Sequence, residues 1–281
     1  MEKYSATVFG LDHEIKIRDY LRRLGFSVSL IAKVKYENVY LNGVPVHMRA
    51  PVRNGDLIEV NFPEEDSENI EPIEVPLHVL YEDERILVVN KPINMPVHPS
   101  KGNHLPTLAN AVRFYFGHPF VFRSITRLDR DTSGIVLIAK DRLAAAMLSL
   151  AMKSGDIDKR YLARVVGCPA DHSGIIDAPI ERESEGSMKR VVRADGKASV
   201  TEYEVISTDN CGNALLSVRP ITGRTHQIRV HMAHIGHPLV NDFLYGEREG
   251  DNTYRLHCHR LSFPHPSDGK IMTVECESNG I

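Results

Sequence analysis

Apolar positions recur along this chain with two periods, one helical and one alternating. Ile17, Tyr20, Leu21 and Leu24 fall at helical spacing, and Gly25 follows as a stop signal. A second helix is predicted from Ser29, with Leu30, Ile31 and Val34 facing inward. The stretch 39–46 reads as a strand, an Asn-Gly turn and a second strand, and Gly55-Asp56 turns into a further strand over 57–60. Lys16 to about Val60 therefore makes a compact helix, helix and small-strand unit. Beyond it, 80–92 reads as a strand, a turn and a buried strand. A helix is predicted over 105–116, with Leu108, Val112 and Tyr115 on one face. Ile135-Val136-Leu137-Ile138-Ala139 is an unbroken apolar run, the mark of a strand buried on both faces. The Ala-, Leu- and Met-rich stretch 141–153 is helical, its methionines core filler. Residues 161–166, 198–205 and 214–218 are predicted strands. Strands outnumber helices and short gaps join them, which implies an α+β fold built mainly on antiparallel sheet.

The chain has 281 residues, enough for about two domains. An acidic, weakly apolar stretch beginning at Pro63 separates the two patterned regions. The expected organisation is a small module at 1–62, a linker at 63–76 and a larger domain at 77–281. No apolar run approaches the roughly 20 residues that span a bilayer, and the first residues lack a signal-peptide core. The four cysteines are scattered without a Cys-x-x-Cys, as expected of free thiols in a cytoplasmic protein. A formal net charge of −3 argues against a nonspecific polyanion binder but leaves room for a local basic cleft. Tryptophan is absent, so any base stacking must use Tyr, Phe, His or Arg.

The run Arg127-Leu128-Asp129-Arg130-Asp131-Thr132-Ser133-Gly134 sets a carboxylate between two cations, ahead of a turn and the buried strand. A carboxylate at the mouth of a buried strand is suited to site chemistry, and an Asp there also serves as a cap or turn former. A magnesium-dependent aspartyl-phosphate site is a poor fit: the preceding residues 122–127 are polar, and Thr132 stands one place early. As a whole, Arg-Leu-Asp-x-x-Thr-Ser-Gly, the apolar strand and Ala139-Lys140 resemble the central motif of the RluA-type RNA pseudouridine synthases. Thr126 stands where many members carry His.

Other stretches extend the resemblance from about Leu77 to the C-terminus. Asn90-Lys91-Pro92 is similar to the first family motif. Lys159-Arg160-Tyr161 is similar to the segment that supplies an active-site Tyr, although a Tyr there also suits a sheet edge. Gly223-Arg224-Thr225-His226-Gln227-Ile228-Arg229 is similar to the third motif. Asn241-Asp242 stands where the family has Gly-Asp, and Asn also tolerates a left-handed backbone. The strand beginning at Leu256 is similar to the last family strand. The N-terminal unit resembles the small RNA-binding module named after ribosomal protein S-four, without the usual Ser-Arg at its second helix. Arg18, Arg22, Arg23, Lys33 and Lys35 would supply its basic face. A plain stabilising domain with a solvated charged face is the alternative.

The resemblance implies that uridine in RNA is isomerised to pseudouridine with no cofactor and no metal. It implies Asp129 as the initiating group, attacking sugar or base or removing a sugar proton. It makes Arg229 the cation that keeps Asp129 ionised, Tyr161 a stacking or proton-relaying ring, and Leu256 a wall of the base pocket. Arg127 is expected to hold the RNA or fill the space of the flipped base. Lys189, Arg190 and Arg193, in a polar loop between strands, are expected to grip the RNA backbone. His226, His231, His234, His237, His257, Cys258 and His259 are numerous enough for zinc. Three-residue spacing on a helix needs a convergent fourth ligand and a closed shell, however, and Pro238 breaks the helix just after His237, so packing, capping and phosphate contacts explain them more simply. The expected partner is large-subunit ribosomal RNA, with transfer RNA as the alternative target. A non-catalytic RNA-binding or ribosome-assembly factor is the alternative class, and monomer the default state.

Overall fold

The computed structural model describes residues 2–32, 34, 36–62, 70–99, 106–117, 120–247 and 254–278. The N-terminal elements are β1 (Glu2–Thr7), β2 (Ile15–Lys16), α1 (Ile17–Arg23), α2 (Val28–Ala32), β3 (Val39–Leu41), β4 (Val44–Pro45), β5 (Pro51–Val52) and β6 (Leu57–Phe62). They form an antiparallel sheet in the order β1-β6-β3-β4, a small β2-β5 pair and two short helices. β1 was not expected. It runs the length of β6, from Glu2 opposite Phe62 to Thr7 opposite Leu57. Its buried Tyr4 meets the edge of Phe26, which stacks on Phe62 at 5.3 Å. Lys33 and Lys35, expected on the basic face, lie outside the described residues.

The larger part contains β7 (His78–Glu82), β8 (Ile86–Lys91), α3 (Leu108–Phe116), β9 (Arg123–Ser124), β10 (Ser133–Ala139), α4 (Arg142–Ser154), β11 (Asp158–Val165), β12 (Ser173–Asp177), β13 (Ile180–Arg182), β14 (Arg190–Val192), β15 (Val200–Thr208), β16 (Ala214–Pro220), α5 (Gln227–His234), β17 (Leu256–Pro264) and β18 (Ile271–Glu275). Its main sheet runs β12-β15-β16-β11-β17-β10-β8-β7, with β18 added to β17 and β9 to β10. Every pairing in it is antiparallel except β10 with β17. The apolar run 135–139 is fully buried, as a strand covered on both faces must be.

α4 ties the two parts together. Asp141 caps it by accepting the Ala144 N–H. Ala144, Leu148 and Ala151 face the main core, whereas Ala146 belongs to the N-terminal core. Arg142 lies over the Phe62 ring at 5.7 Å. Gly25 makes this approach possible: its φ is +91°, and a Cβ there would collide with the Ala146 carbonyl.

Two expectations need correction. Residues 63–69 of the expected linker lie outside the described residues, but 70–76 are docked rather than free. Ile70 and Val75 pack on the main core, the Ile73 N–H donates to the Asn110 carbonyl, and Asn110 Nδ2 donates to the Glu71 carbonyl at 2.7 Å. The acidic residues concealed the apolar ones between them. In α3, Leu108 and Val112 are buried but Tyr115 is exposed, its hydroxyl donating to Glu82. Leu105, the expected start of that helix, lies outside the described residues.

Candidate active site

The site forms where β10 begins. Gly134, at φ +112°, lets β10 lie directly against β17; a Cβ there would stand 2.6 Å from the Cys258 nitrogen. The turn ahead of it closes with the Thr132 N–H donating to the Asp129 carbonyl. Lys91 braces the same turn from below. Its amine is completely buried and donates to the carbonyls of Pro92, Met95 and Arg130 at 2.8, 2.8 and 3.0 Å. Burial pushes that amine down to about 7, against the pull of Asp131 and Asp129, while the three carbonyls favour the charged form. Asp131 is bound by Arg130, and Thr132 Oγ1 pairs with the Tyr254 hydroxyl. The Asp129 carboxylate is one-third exposed, and no hydrogen bond to it occurs among the described residues. A capping role would require it to accept a backbone N–H.

Arg229 comes from the buried face of α5, with its side chain 3% exposed. Its Nε and Nη2 donate to both oxygens of Asp242 at 2.7 and 2.8 Å, while Nη1 stands 3.9 Å from Asp129 Oδ2. The expected pairing with Asp129 is therefore the longer of two contacts. Asp242, completely buried, is the principal partner, and it also accepts the Leu244 and Tyr245 N–H groups. The turn that presents it uses Asn241 in a left-handed conformation, φ +63°. The rings of Tyr254, Tyr245 and Phe243 surround the guanidinium at 4.3, 5.0 and 5.7 Å. Burial lowers its charged state, but the Asp242 hydrogen bonds outweigh that, so Arg229 stays cationic.

α5 starts one residue after His226, which is itself left-handed at φ +57°. His226 Nδ1 lies 2.7 Å from the Tyr245 hydroxyl and Nε2 lies 3.9 Å from Asp129 Oδ2. The Tyr245 oxygen also accepts the Arg190 N–H. Burial pushes His226 down, against the pull of Asp129. Gln227 pins the preceding loop: its carbonyl accepts from Thr222 Oγ1 and the Arg224 N–H, and its NH₂ donates to the Val200 carbonyl and Thr201 Oγ1.

Tyr161 sits on β11 between β16 and β17, so it is central, not at a sheet edge. Burial first, then the Cys258 thiol and the Asp129 carboxylate, push its phenol well above the ordinary value. It is therefore a neutral ring that donates rather than a base. Asp129, Tyr161, Arg229, Arg127 and Leu256 all line one open cleft of about 710 Å³.

Lys189, Arg190 and Arg193 do not line the cleft. Arg190 lies inside β14, while Lys189 is in the connection between β13 and β14 and Arg193 directly follows β14. Lys189 stands 3.6 Å from Glu183, and Arg193 pairs with Asp195 at 2.5 Å. Among the described residues no group of three or more His, Cys, Asp or Glu is placed to hold a metal ion. His231 is fully buried, Nδ1 against Thr201 Oγ1 and Nε2 against the Ala178 carbonyl, and burial pushes it down. His257 Nδ1 contacts Ser133 Oγ on the other side of the sheet junction. Sequence reasoning did not assign Asp242, Tyr245 or Tyr254 to the site. The first two lie in a stretch that carries the family pattern; Tyr254 carries no motif signal.

A family model described as RNA pseudouridylate synthase matches residues 85–234. The uncharacterized RNA pseudouridine synthase YjbO of Bacillus subtilis is 40% identical over 258 residues, covering 89% of this chain and 90% of that protein. The ribosomal large subunit pseudouridine synthase D of Xanthomonas campestris pv. campestris is 37% identical over 264 residues, covering 87% and 79%. Among solved structures, human RNA pseudouridylate synthase domain containing 1 aligns with a TM-score of 0.63 at 28% identity, over 74% of this chain and 86% of that one.

Proposed function

This chain belongs to the RNA pseudouridylate synthase family and is an RNA pseudouridine synthase, an isomerase; on that premise we propose that it acts on large-subunit ribosomal RNA and that Asp129 starts the reaction. The observation that carries this reading is the convergence of Asp129, Tyr161, Arg229 and Leu256 on one cleft. Asp158, the other carboxylate lining it, is occupied by Arg219 and Arg160. Asp129 alone is left facing the cleft with cationic Arg229 behind it.

The reaction exchanges one glycosidic bond for another. The C1′–N1 bond breaks, the uracil turns, and C1′ bonds to C5; the C5 proton leaves to water and N1 takes one up. Electrons balance without an oxidant or a transferred group, so no cofactor is needed. Asp129 attacks the sugar or base, or removes a sugar proton. Arg229 and His226 each stand 3.9 Å from its Oδ2, and Arg229 does not occupy it because Asp242 already holds the guanidinium. Tyr161 and Leu256 form the walls for the flipped base, and Arg127, exposed at the rim, contacts RNA or fills the vacated stack.

The ribosomal target rests on the name of the Xanthomonas relative. The expected result is release of tritium from C5-labelled uridine in large-subunit ribosomal RNA transcripts, at least tenfold faster than from transfer RNA transcripts. Equal or faster release from transfer RNA would overturn this target.

The N-terminal module and the β13-β14 ribbon extend the RNA contact in this reading. Arg22 and Arg23 are exposed at the end of α1, and Lys189 and Arg193 project from the ribbon. Because the ribbon cations already have acidic neighbours, their contribution is modest. Neutralising Lys189 and Arg193 to Gln should reduce the slope of log affinity against log salt by roughly 1 to 2. An unchanged slope would exclude the ribbon from the interface.

A further inference from the structure

Lys159 has no role in the chemistry described so far. It is two residues before Tyr161 on β11, so the two side chains share a face of the strand. It lines the cleft. Its amine lies 3.7 Å from where a Gly223 Cβ would be, so the absence of a side chain there leaves the amine room. Among the described residues it makes no hydrogen bond, ion pair or ring contact. The adjacent carboxylate, Asp158, also lines the cleft but is taken by Arg219 at 2.5 Å and Arg160 at 3.2 Å. Lys91, a completely buried lysine, has three carbonyl acceptors. A half-buried ammonium without a protein acceptor leaves its three donors to whatever occupies the cleft it lines.

We propose that Lys159 is a substrate-contacting residue whose ammonium binds a carbonyl oxygen of the uracil and stabilises the negative charge that develops as the C1′–N1 bond breaks. This rests on the isomerase reading above. When the bond breaks, the base leaves with the electron pair, and the charge spreads from N1 onto O2 and O4. Asp129 has Arg229 and His226 beside it, each 3.9 Å from Oδ2, and in this proposal that group faces the sugar. Lys159 lines the same cleft two residues from Tyr161 and near Cys258, so a base stacked on that ring would bring its carbonyl edge to the amine. A cation held in a partly desolvated wall acts most strongly on charge that exists only in the transition state.

The groups acting on Lys159 are Asp158 on its own strand and Cys258 on β17, and Tyr161 and Arg219 line the same cleft. Burial lowers the amine below the usual lysine range, against the pull of Cys258 and Asp158. Tyr161 and Cys258 are pushed the other way, Cys258 up to about 12. Lys159 therefore loses its charge first as pH rises.

The test is single-turnover pseudouridine formation at saturating RNA, with RNA affinity measured by filter binding, for wild type, Lys159→Met and Lys159→Arg. Lys159→Met should slow the step about 100-fold, the scale of losing one oxyanion donor, with affinity within about threefold of wild type. Lys159→Arg should recover at least tenfold of that loss and move the alkaline limb of the rate profile to higher pH. If Lys159→Met instead weakens RNA binding tenfold or more and leaves the saturating rate intact, the amine grips a phosphate and the proposal is wrong. An unimpaired Lys159→Met likewise overturns the proposal alone. A wild type that makes no pseudouridine on any RNA overturns the isomerase reading with it.

Discussion

Asp129→Asn is expected to reduce pseudouridine formation on the order of 10⁴-fold, the upper range for removal of a positioned acid–base group. The thermal midpoint should stay within a few degrees of wild type. The two halves of this expectation have different causes. The catalytic half follows from position: Asp129 faces the cleft, 3.9 Å from Arg229 and 3.9 Å from His226. The structural half follows from partners. No hydrogen bond to the Asp129 carboxylate occurs among the described residues, and Arg229 is already held by Asp242, so losing the Asp129 charge strands nothing. Circular dichroism melts beside the activity assay separate the two. A variant that unfolds would show that Asp129 holds the turn rather than the substrate.

Asp242→Ala is expected to have the opposite signature. Asp242 is completely buried, and Arg229 is 3% exposed. Removing one partner of a buried ion pair leaves the other charge without compensation, at a cost of about 3–5 kcal/mol. Two further N–H groups, of Leu244 and Tyr245, lose their acceptor at the same time. The surrounding rings of Tyr254, Tyr245 and Phe243 cannot replace two hydrogen bonds to a carboxylate. Activity should fall as well, because an Arg229 without Asp242 is free to swing onto Asp129 and occupy it. Urea titration reads the stability directly. A loss under about 1 kcal/mol would mean that Arg229 relaxes into solvent and that the pair is not the anchor described here.

Much of this was legible in the amino-acid sequence, and the limits are physical. The Asn-Gly turn at 42–43 was legible because a hairpin of that length needs two positive φ angles, and both residues have them. Strand β10 was legible because a strand covered on both faces cannot tolerate polar residues. The motif run carried Asp129, Tyr161, Arg229 and Leu256 to one cleft. The partner of Arg229 was not legible. Which of two carboxylates holds an arginine depends on the turn at 239–242, and local spacing does not encode that distance. β1 was missed because only Tyr4 and Ala6 mark its inward face, too few to show alternation. The docking of 70–76 was hidden by interleaved glutamates, although Ile70, Ile73 and Val75 were there to be read. The short β13-β14 pair flanking Lys189 was not legible because its three-residue strands are rich in charge.

The central claim is that this cleft turns uridine into pseudouridine through Asp129. The most direct measurement is mass spectrometry of large-subunit ribosomal RNA transcripts after incubation with wild type or Asp129→Asn, with pseudouridine chemically tagged because isomerisation leaves the mass unchanged. The account predicts tagged pseudouridine at discrete uridines with wild type and none above background with Asp129→Asn. Tag appearing equally with both proteins, or with neither on ribosomal and transfer RNA alike, would contradict it.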